Sequence, residues 1–437
     1  MGTALEFYDF AIYGTAAALV FGEIFFKTDD AWFATFMSLA TFALGFVMAP
    51  LGAALFGWIG DRFGRRPSLF LAFATMGIST LLMGALPAYA AIGVLAPILL
   101  TVLRVFHGLA RGGENAGAAV FAIEHAPQKR RGVYGSVVAI GSPIGLILAN
   151  IAFALVLLLP DQDIREWGWR IPFLMGGVVL VVGLWVRKGV SETPAFQEVS
   201  GSPSGELPAV PLWDMLRRRW RIVLLAAGVN VGLTASTYTL ATFMLSYGTA
   251  AAPNGLGLAR QPILLGVLFA MAVHAVANLG SAWVSDRIGR KPVMIAGGVL
   301  SLASALTMFT VTIDGTVTSI NIAVLIGCTV TGVMFGPLYS FFAELFPRHQ
   351  RQSGLGFAYH VGGVLGGGIS PLVANRIIAS TGDARWVGFY LAALLAISVV
   401  CILALPETAP AKMSGASADS PGLAGDCSQH GAPTRVD

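Results

Sequence analysis

The sequence predicts an all-α membrane protein in which twelve transmembrane helices form two six-helix bundles. Hydrophobic residues make up 56% of the 437-residue chain, charged residues make up 11%, and the mean hydropathy is +0.75. A typical soluble domain carries about 25% charged residues, so this chain cannot cover a water-facing surface. Runs of about 20 apolar residues, the length that a bilayer requires, occur about twelve times. They are too long and too uniformly apolar for membrane β-strands, which alternate in segments of about 10 residues.

Repeated motifs between the apolar runs predict the division into two bundles. Asp-Arg-Phe-Gly-Arg-Arg-Pro at residues 61–67 recurs as Asp-Arg-Ile-Gly-Arg-Lys-Pro at residues 286–292, an offset of 225. Glu-His-Ala-Pro at 124–127 recurs as Glu-Leu-Phe-Pro at 344–347, and Glu-Thr-Pro at 192–194 recurs as Glu-Thr-Ala at 407–409. Three motifs in the same order at nearly constant offset indicate two copies of one membrane unit in parallel orientation.

The apolar runs locate the individual helices. In chain order the predicted spans are Leu5–Phe26, Trp32–Ile59, Pro67–Pro87, Ala91–Ala122, Val133–Leu159, Trp169–Val186, Trp220–Tyr247, Pro262–Val284, Pro292–Thr312, Ser319–Ala343, Gly354–Ile378 and Trp386–Leu405. Arginine and lysine cluster in the loops after the even-numbered spans, while the opposite loops hold few. The positive-inside rule therefore predicts that both termini are cytoplasmic.

These spans divide the chain into four predicted regions. Residues 1–188 form the N-terminal bundle and residues 218–405 form the C-terminal bundle. Residues 189–217, which are rich in Ser, Gly and Pro, are predicted to be a cytoplasmic linker. Residues 406–437 turn polar and rich in Gly, Ser, Ala and Pro, and we expect them to be disordered.

Composition and motif content exclude several classes of function. The net charge of +4 lies in short loops rather than in one patch, so nucleic acid is not an expected partner. Cys328 and Cys401 fall in apolar spans and Cys427 in the polar tail, so no disulfide framework is expected. The sequence shows no metalloprotease motif, no nucleophile elbow, no Cys/His metal spacing and no P-loop. We therefore expect neither an enzyme nor an ATP-driven pump, and no cofactor or metal.

Several motifs resemble one known superfamily. The stretch Gly57-x-x-Gly60-Asp61-Arg62-x-Gly64-Arg65-Arg66 resembles the signature loop of the major facilitator superfamily. Arg104-x-x-x-Gly108-x-x-x-Gly112 resembles the Arg/Gly motif in helix 4 of that superfamily. The resemblance covers nearly the whole chain apart from the tail, and it implies the major facilitator fold.

Three further stretches resemble the metabolite:proton symporter family, which includes shikimate, proline/betaine, ketoglutarate and citrate permeases. They lie at residues 5–17, residues 112–127 and residues 168–173. The resemblance implies that a monomer in the plasma membrane, here a bacterial inner membrane, couples proton influx to uptake of a small organic acid or zwitterion by alternating access.

The chain departs from that family at three positions. Glu6 lies five residues from Met1, whereas such proteins usually carry a dozen or more residues before this stretch. We therefore expect either an upstream start or a shortened first helix. Arg111 stands where relatives have a small or apolar residue, and His107 stands where they have Gln, so we expect the substrate to differ accordingly.

Ionisable residues inside predicted spans are candidates for function, because each costs about 3 kcal/mol on insertion scales. In the fourth span Arg104, His107, Arg111 and Glu114 fall within about 80° of one another at 100° per residue. A lipid-facing position for such a stripe is implausible, so we expect it to line a central cavity. In the first span Glu6, Asp9 and Tyr13 likewise share one face.

The substrate candidates begin with the intramembrane arginines. Arg104 or Arg111 is expected to bind a substrate carboxylate, since guanidinium binds carboxylates bidentately, and Tyr13 lies on the facing stripe. Polar residues of the second half are expected to share in substrate selection. They are Asn230, Thr234, Thr237 and Tyr238 in the seventh span, His274 and Asn278 in the eighth, and His360 in the eleventh.

The proton candidates are carboxylates, because arginine cannot release its proton. Asp9 and Glu114 come first and Glu6 next, with His107 as a titrating neighbour and Arg104 as the cation beside them. The alternative is that these side chains form a structural ion-pair network that fixes the first helix against the fourth.

The resemblance also implies that the two repeated loops hold a cytoplasmic gate closed. Asp61 is expected to approach a helix N-terminus, whose dipole favours an anion. The arginines are expected to pair with acidic residues at helix ends. The gate candidates are Asp61, Arg62, Arg65, Arg66, Glu124, Asp286, Arg287, Arg290 and Glu344. The alternative is that the arginines only keep the loops in the cytoplasm.

Two other functions remain open at this point. Gly141-Ser142-Pro143-Ile144-Gly145 partly resembles a Gly-Pro motif of superfamily antiporters, which favours a proton-coupled exporter of a drug or metabolite. Glycine and proline also simply permit close helix packing. A receptor with a transport fold is the other possibility, but such a protein usually adds a signalling domain, and the sequence carries no such domain.

Overall fold

The computed structural model describes residues 2–27, 31–188, 211–249 and 255–409. Within these ranges the chain forms helices and connecting turns, with no strand. The described residues form twelve long helical segments, of which eleven are long and apolar enough to cross a membrane. The other segment, α1, carries Glu6 and Asp9. The predicted all-helical membrane fold is confirmed.

The first six segments make up the N-terminal half. They are α1 (Gly2–Ala16, continued by a π-helical turn at Ala17–Phe21 and by Gly22–Phe25), α2 (Ala31–Phe63), α3 (Arg65–Ala85), α4 (Leu95–Glu124), α5 (Arg131–Val156) and α6 (Asp161–Asp163, a π-helical turn at Ile164–Gly168, then Arg170–Lys188). A four-residue helical turn, Tyr89–Ile92, lies between α3 and α4.

The C-terminal half follows the same order. Its segments are α7 (Pro211–Tyr238, a π-helical turn at Thr239–Phe243, then Met244–Thr249), α8 (Arg260–Ile288), α9 (Arg290–Val311), α10 (Val317–Phe335 and Leu338–Leu345), α11 (Arg351–Gly363, a π-helical turn at Val364–Gly368, then Ser370–Thr381) and α12 (Arg385–Ala404). Both α1 and α7, the first helices of the two halves, contain a π-helical turn.

Helices in the N-terminal half approach closely where glycine removes the side chain. A Cβ atom on Gly112 of α4 would overlap the backbone of α2 at Ala49, and one on Gly52 of α2 would overlap the backbone of α4 at Leu109. A Cβ on Gly145 of α5 would likewise meet the carbonyl oxygen of Ala4 in α1. Small residues at such crossings are typical of membrane helices, where packing replaces the hydrophobic effect.

The two halves meet through equivalent pairs of helices. The second helix of each half packs against the fifth helix of the other, so that α2 contacts α11 and α5 contacts α8. The repeated charged loops lie where α2 turns into α3 and where α8 turns into α9. Gly64 (φ 114°) and Gly289 (φ 110°) make these turns with backbone angles that favour glycine. We call this end of the molecule the motif end.

Residues 211–218 form a short helical stretch before the long helix of α7. Non-helical backbone angles at Arg219 (φ −126°, ψ 22°) separate the two. The linker boundary predicted at residue 217 lies next to this kink, and the linker itself stays a prediction. Residues 189–210 lie outside the described residues, as does the Glu192–Pro194 repeat.

The start of the predicted disordered tail is held in place. The Glu407 carboxylate accepts hydrogen bonds from the backbone N–H groups of Arg290 and Lys291 at 2.9 and 3.0 Å. It thus occupies the N-terminus of α9, where the helix dipole favours an anion. Thr408 also donates to Glu344 at 2.9 Å. The prediction of disorder is therefore wrong for these first residues, and residues 410–437 lie outside the described part of the chain.

Candidate functional site

A small, partly open cavity lies between the two halves. It is lined by Phe7, Phe46, Ala49, Arg111 and Ser142 of the N-terminal half and by Thr234, Thr237, Tyr238, Phe335, Tyr359, His360 and Gly363 of the C-terminal half. Arg111 supplies a permanent positive charge, and five aromatic rings share the lining with it. A cavity shared by two repeats at mid-membrane depth is the usual place for a transported substrate.

Arg111 contacts both halves of the molecule. Its Nε donates to Glu6 Oε1 of α1 at 2.9 Å, and its Nη2 donates to the Tyr238 hydroxyl of α7 at 3.4 Å. The guanidinium lies over the rings of Phe10 and Phe46, at 4.1 and 5.0 Å from their centres. Its Nη1 is buried and has no hydrogen-bond partner among the described residues. One of the three nitrogen atoms of the guanidinium is therefore without an acceptor.

Glycine positions Arg111 at the cavity. Gly108 and Gly112 precede and follow it on α4, and both face α2, where a Cβ would collide with Gly45 or with Ala49. Because α2 lies so close against these glycines, the long side chain of Arg111 extends toward the cavity. Glu6 is fully buried opposite it.

Arg104 lies elsewhere, inside the N-terminal half. Its guanidinium is surrounded by the rings of Tyr13, Phe10 and Phe42, with ring centres at 4.1, 4.8 and 5.4 Å. Its Nη2 donates to the Phe42 carbonyl oxygen at 3.3 Å. Arg104 is fully buried and is not part of the cavity lining. Cation–π contacts with three rings explain how the charge is tolerated there.

A second polar cluster adjoins Arg104. Asp9 Oδ2 accepts a hydrogen bond from Thr80 Oγ1 at 2.8 Å and lies 3.7 Å from His107 Nε2. The Nδ1 of His107 lies 3.2 Å from Arg104 Nη1. The Tyr13 hydroxyl pairs with Thr41 Oγ1 at 2.7 Å. This cluster joins α1, α2, α3 and α4 within one half.

The predicted stripe on α4 therefore divides. Of Arg104, His107, Arg111 and Glu114, only Arg111 lines the cavity. The reason is that α1 crosses α4, so its aromatic rings cover Arg104, as Tyr13 shows most directly. Glu114 is fully buried and lies within electrostatic range of Glu6. Tyr13, predicted to bind substrate, also lies outside the lining.

The candidates of the second half divide in the same way. Tyr238 lines the cavity, as do Thr234, Thr237 and His360. Asn230 lies behind the lining, where its amide donates to the Tyr359 carbonyl oxygen at 2.6 Å. His274 Nδ1 lies 2.8 Å from the Cys328 carbonyl oxygen, between α8 and α10, and Asn278 is fully buried outside the lining. These three contribute support rather than cavity surface in this conformation.

The aromatic lining was not recognised from the sequence. Phe7, Phe46, Phe335 and Tyr359 lie in apolar spans, where an aromatic residue has no feature that separates a cavity from a helix contact. One sequence feature did point to the cavity: Phe7 and Phe10 lie one helical turn apart on α1, next to the ionisable residue Glu6. Among the described residues, no cluster of His, Cys, Asp or Glu suits a metal ion.

At the motif end, Asp61 joins the two halves. Its Oδ2 accepts from the backbone N–H and the hydroxyl of Ser353, at 3.2 and 2.6 Å, in the first turn of α11. Arg65 pairs with Asp61, donates to the Arg348 carbonyl oxygen at 2.7 Å, and lies 3.6 Å from Glu124. A carboxylate at a helix N-terminus is favoured by the helix dipole.

The second repeat makes the equivalent contact from the other half. Asp286 accepts from the backbone N–H groups of Gly132 and Val133 at 2.8 and 3.1 Å, in the first turn of α5. Arg290 pairs with Asp286 at 2.6 Å and with Glu344 at 3.3 Å. The motif end is therefore closed by two related networks, each centred on one aspartate.

Two predicted gate arginines, Arg62 and Arg287, take no part in the contacts described for these networks. Arg62 and Arg287 are exposed and stack on Trp58 and Trp283, at 5.7 and 3.6 Å from the ring centres. Arg66 is also exposed. The contact between Glu124 and the C-terminal half is made by Arg351 of α11, whose Nη1 lies 3.3 Å from Glu124 Oε1. In the first turn of α3, helical periodicity turns Arg65 inward and Arg66 outward.

Comparison with known proteins agrees with this architecture. The model of the Major Facilitator Superfamily matches residues 1–371 and, in a second match, residues 263–424. The solved structure of the proton:xylose symporter XylE bound to 6-bromo-6-deoxy-D-glucose is 16% identical in sequence and superposes with a TM-score of 0.76. The match covers 93% of this chain and 94% of that one. The inward-open form of XylE from E. coli is also 16% identical and superposes with a TM-score of 0.62, over 94% of this chain and 95% of that one.

Closer relatives are metabolite transporters. The inner membrane metabolite transport protein YhjE of Escherichia coli is 38% identical over 93% of this chain and 92% of its own length. The shikimate transporter of Escherichia coli is 33% identical, with 93% of each chain covered. The proline/betaine transporter of Salmonella typhimurium is 32% identical over 95% of this chain and 84% of its own. The chain therefore belongs to the major facilitator superfamily and is one of its multi-pass metabolite transporters rather than an enzyme.

Proposed function

We propose that this protein couples proton influx to the uptake of a small metabolite that carries a carboxylate, either an organic acid or a zwitterion. The observation that carries the proposal is the buried pair of Arg111 and Glu6 at the cavity between the halves. The proposal places the protein as a monomer in the inner membrane, with both termini and the motif end on the cytoplasmic side. XylE, described as a proton:xylose symporter, shares this fold.

Arg111 is the proposed carboxylate-binding group. Its Nη1 has no hydrogen-bond partner, while its Nε donates to Glu6. In this proposal a substrate carboxylate binds the guanidinium and replaces Glu6 as its partner. A guanidinium can bind that carboxylate in bidentate geometry. The hydroxyl groups of Thr237 and Tyr238, together with His360, supply polar contacts for the rest of a small substrate.

Proton coupling follows from the cost of separating that pair. Removing one partner of a buried ion pair is destabilising by about 3–5 kcal/mol, because the other charge is left uncompensated. Glu6 therefore has to be protonated when a substrate carboxylate takes Arg111. One proton and one carboxylate then bind together, while the net charge of the cavity stays constant.

Asp9 and Glu114 are the remaining proposed proton carriers. Asp9 with His107 and Arg104 forms the cluster next to the cavity pair, and α1 carries both Asp9 and Glu6. A change of protonation at Asp9 would alter the packing of α1 against α4. In this proposal the protonation state of Asp9 sets that packing, and Glu6 takes up a proton when the substrate carboxylate binds Arg111.

Alternating access is proposed to act through the two networks at the motif end. Both aspartates bridge the halves, so opening toward the motif end requires that Asp61 leave Ser353 and that Asp286 leave the first turn of α5. The proposed gate comprises Asp61, Arg65 and Glu124 in one network and Asp286, Arg290 and Glu344 in the other. Arg62, Arg66 and Arg287 are proposed to stabilise the orientation of the loops.

The deciding experiment is transport by purified protein in proteoliposomes under an imposed pH gradient. A panel of aromatic acids, hydroxy acids, dicarboxylates and betaines is offered as radiolabelled substrate. We expect accumulation of at least one monocarboxylate or betaine, with loss of accumulation when a protonophore is added. Full accumulation without a gradient would contradict proton coupling.

The alternative, a proton-coupled exporter, was favoured by the glycines of α5. Gly141 and Gly145 lie directly against α1 at Thr3 and Ala4, so close packing accounts for both. An external pH electrode distinguishes the two directions in the same proteoliposomes. Symport of substrate makes the external medium alkaline, whereas exchange of substrate against protons does not.

A further inference from the structure

The first turn of α11 carries a glutamine that reaches into the N-terminal half. Gln352 is fully buried. Its Nε2 donates to Ser68 Oγ of α3 at 3.0 Å and to the Phe56 carbonyl oxygen of α2 at 3.3 Å. The side chain therefore crosses the boundary between the halves at the motif end, although it is not part of the gate proposed above.

Glycine makes the space for this amide. A Cβ atom on Gly60 of α2 would overlap Oε1 of Gln352, and a Cβ on Gly117 of α4 would lie 3.2 Å from Nε2. Because neither glycine has a side chain, α2, α3 and α4 leave a narrow space that the amide fills. We call this space the glutamine slot; it is formed by Phe56, Gly60, Ser68 and Gly117.

The residues on either side of Gln352 contact the carboxylates of the Asp61 network. Arg351 Nη1 lies 3.3 Å from Glu124 Oε1, and the Ser353 hydroxyl donates to Asp61 at 2.6 Å. Three consecutive residues of α11 thus contact three different helices of the N-terminal half. Since the backbone of a helical turn fixes consecutive residues relative to one another, Gln352 has to leave its slot when Ser353 leaves Asp61.

The second repeat has the opposite arrangement. At the offsets that relate the repeated motifs, Gly132 of α5 corresponds to Gln352, and Ser285 of α8 corresponds to Gly60. Ser285 accepts a hydrogen bond from Arg290 Nη1 at 2.9 Å, and a Cβ on Gly132 would lie 2.5 Å from the same nitrogen. In the Asp61 network the glycine is therefore on the helix that carries the aspartate, whereas in the second network it is on the facing helix.

The amide of Gln352 is hydrogen-bonded on one side only. Its Oε1 is buried and has no hydrogen-bond partner among the described residues. A buried acceptor without a donor is unfavourable compared with the same acceptor in water. The donated bonds and the packing therefore stabilise the closed motif end, while hydration of Oε1 lowers the cost of withdrawing the side chain.

Resting on the alternating access of the proposed function, we propose that Gln352 is a positioning residue for the opening of the motif end. Its insertion into the glutamine slot holds the first turn of α11 where Ser353 meets Asp61, and opening requires that the amide leave the slot. The Asp61 network then closes through charge and through an inserted side chain. The exchange of glycine and a larger residue between the repeats further means that the residues at positions 60 and 352 depend on each other.

The test is pulsed dipolar spectroscopy on the full-length chain, with spin labels at the exposed positions Phe63 and Ile288 of the two motifs and with the native cysteines replaced by alanine. Gln352→Ala is expected to raise the ratio of long to short distances about fivefold, the equivalent of one hydrogen bond. Gln162→Ala is the matched control, because its exposed amide donates to Glu166 at 2.8 Å within α6.

A pair of substitutions tests the dependence between the two positions. Gly60→Ser introduces the residue of the second repeat and is expected to raise the same ratio, because its side chain would overlap the Gln352 amide. Adding Gln352→Gly gives the combination found in the second repeat and is expected to bring the ratio below that of Gly60→Ser alone. Gly280→Ser is the control for the added side chain, since a Cβ there would meet nothing within 4 Å.

The outcomes separate this inference from the proposed function. Unchanged distances in Gln352→Ala, together with a shift in Asp61→Asn, would overturn this inference and leave the proposed gate intact. A double variant no closer to wild type than Gly60→Ser would also overturn it. One and the same distance in wild type and in Asp61→Asn would contradict alternating access and the inference with it. Gln352→Glu is nearly isosteric but loses the Nε2 donor, so we expect it to raise the ratio as well, and it keeps the test decisive if Gly60→Ser does not fold.

Discussion

Arg111 and Glu6 form an ion pair between α4 and α1, with Nε 2.9 Å from Oε1 and with side-chain exposures of 5% and 0%. A second pair involving α1, Glu23 with Arg165 of α6, has a similar separation of 3.1 Å but is 60% exposed on both sides. Among the described residues, α1 thus takes part in two carboxylate–guanidinium pairs of similar separation and opposite burial. This contrast provides matched controls for the proposed coupling.

Glu6→Gln is expected to abolish proton-driven accumulation while counterflow exchange persists. The amide keeps the size of the carboxylate but cannot take up or release a proton. Gradient-driven uptake and counterflow, both measured in proteoliposomes, separate the two effects. Glu23→Gln should leave both unchanged, because exposed pairs contribute only about 0–1 kcal/mol. Unchanged accumulation in Glu6→Gln together with its loss in Asp9→Asn would move the proton to Asp9.

Arg111→Lys is expected to weaken substrate affinity by roughly tenfold or more. Lysine keeps the charge but loses the bidentate donor pair, and a hydrogen bond to a charged group is worth about 1.5–3 kcal/mol. Binding by isothermal titration or by competition with labelled substrate measures the effect. Arg165→Lys, at the exposed pair, is the matched control. Equal affinities for Arg111→Lys and wild type would show that the carboxylate binds elsewhere.

Arg65→Gln and Arg290→Gln are each expected to lower the melting temperature, because each leaves a buried aspartate without its cation. Breaking a buried pair of this kind costs about 3–5 kcal/mol. Arg62→Gln tests the same substitution three residues earlier, on an exposed side chain stacked on Trp58. Thermal unfolding in detergent should therefore separate Arg65 from Arg62. Equal losses at both positions would contradict the buried networks as the stabilising contacts.

The fold was predictable because its signals are local or repeated. Span length, hydropathy and the recurrence of the motif at Asp61 in the motif at Asp286 need no knowledge of helix packing. Glu124 and Glu344 could be named as gate candidates because they recur at nearly the same offset. Their partners were harder to identify: Ser353, which receives Asp61, has no feature in the sequence that sets it apart.

The site was predictable only in part, because the crossing of α1 over α4 decides it. Helical spacing predicted Arg104 and Arg111 on one face of α4, and both guanidiniums lie against the ring of Phe10 in α1. It could not say that Tyr13 covers Arg104, since that depends on how closely α1 approaches its neighbours. Gly145 permits that approach on the α5 side, through a backbone contact with Ala4. Such contacts between helices distant in sequence are not encoded in the periodicity of either helix.

Gly145→Ala is expected to lower thermal stability and transport together, because its Cβ would collide with the carbonyl oxygen of Ala4 in α1. Gly280→Ala in α8 is the matched control, since its Cβ would meet nothing within 4 Å. That substitution is expected to be neutral or to stabilise by up to about 1 kcal/mol through helix propensity. Melting temperature in detergent and initial uptake rate are the two measurements. A stable, active Gly145→Ala protein would contradict the close contact of α1 with α5.

Asp61→Asn and Asp286→Asn are expected to open the motif end to similar extents. Each removes a charge from a helix N-terminus in the opposite half, an interaction worth about 0.3–1 kcal/mol and up to about 2 kcal/mol when partly buried. Phe63 and Ile288 hold equivalent positions in the two motifs and are 56% and 48% exposed, so spin labels can be attached there. Pulsed dipolar spectroscopy, in a chain whose native cysteines are replaced by alanine, then reports the separation of the halves.

In that measurement the free-energy changes of opening caused by the two substitutions should add. The two networks share no side chain among the contacts described, and the effects of independent sites usually add within about 0.5 kcal/mol. The double variant is therefore expected to show the summed free-energy change, seen as a larger long-distance population. Asp383→Asn is the matched control, because Asp383 accepts from the backbone of Arg385 at 2.9 Å in the loop between α11 and α12, away from the motif end. If one aspartate variant opens the motif end fully and the other has no further effect, the two networks act as one switch, which would contradict their independence.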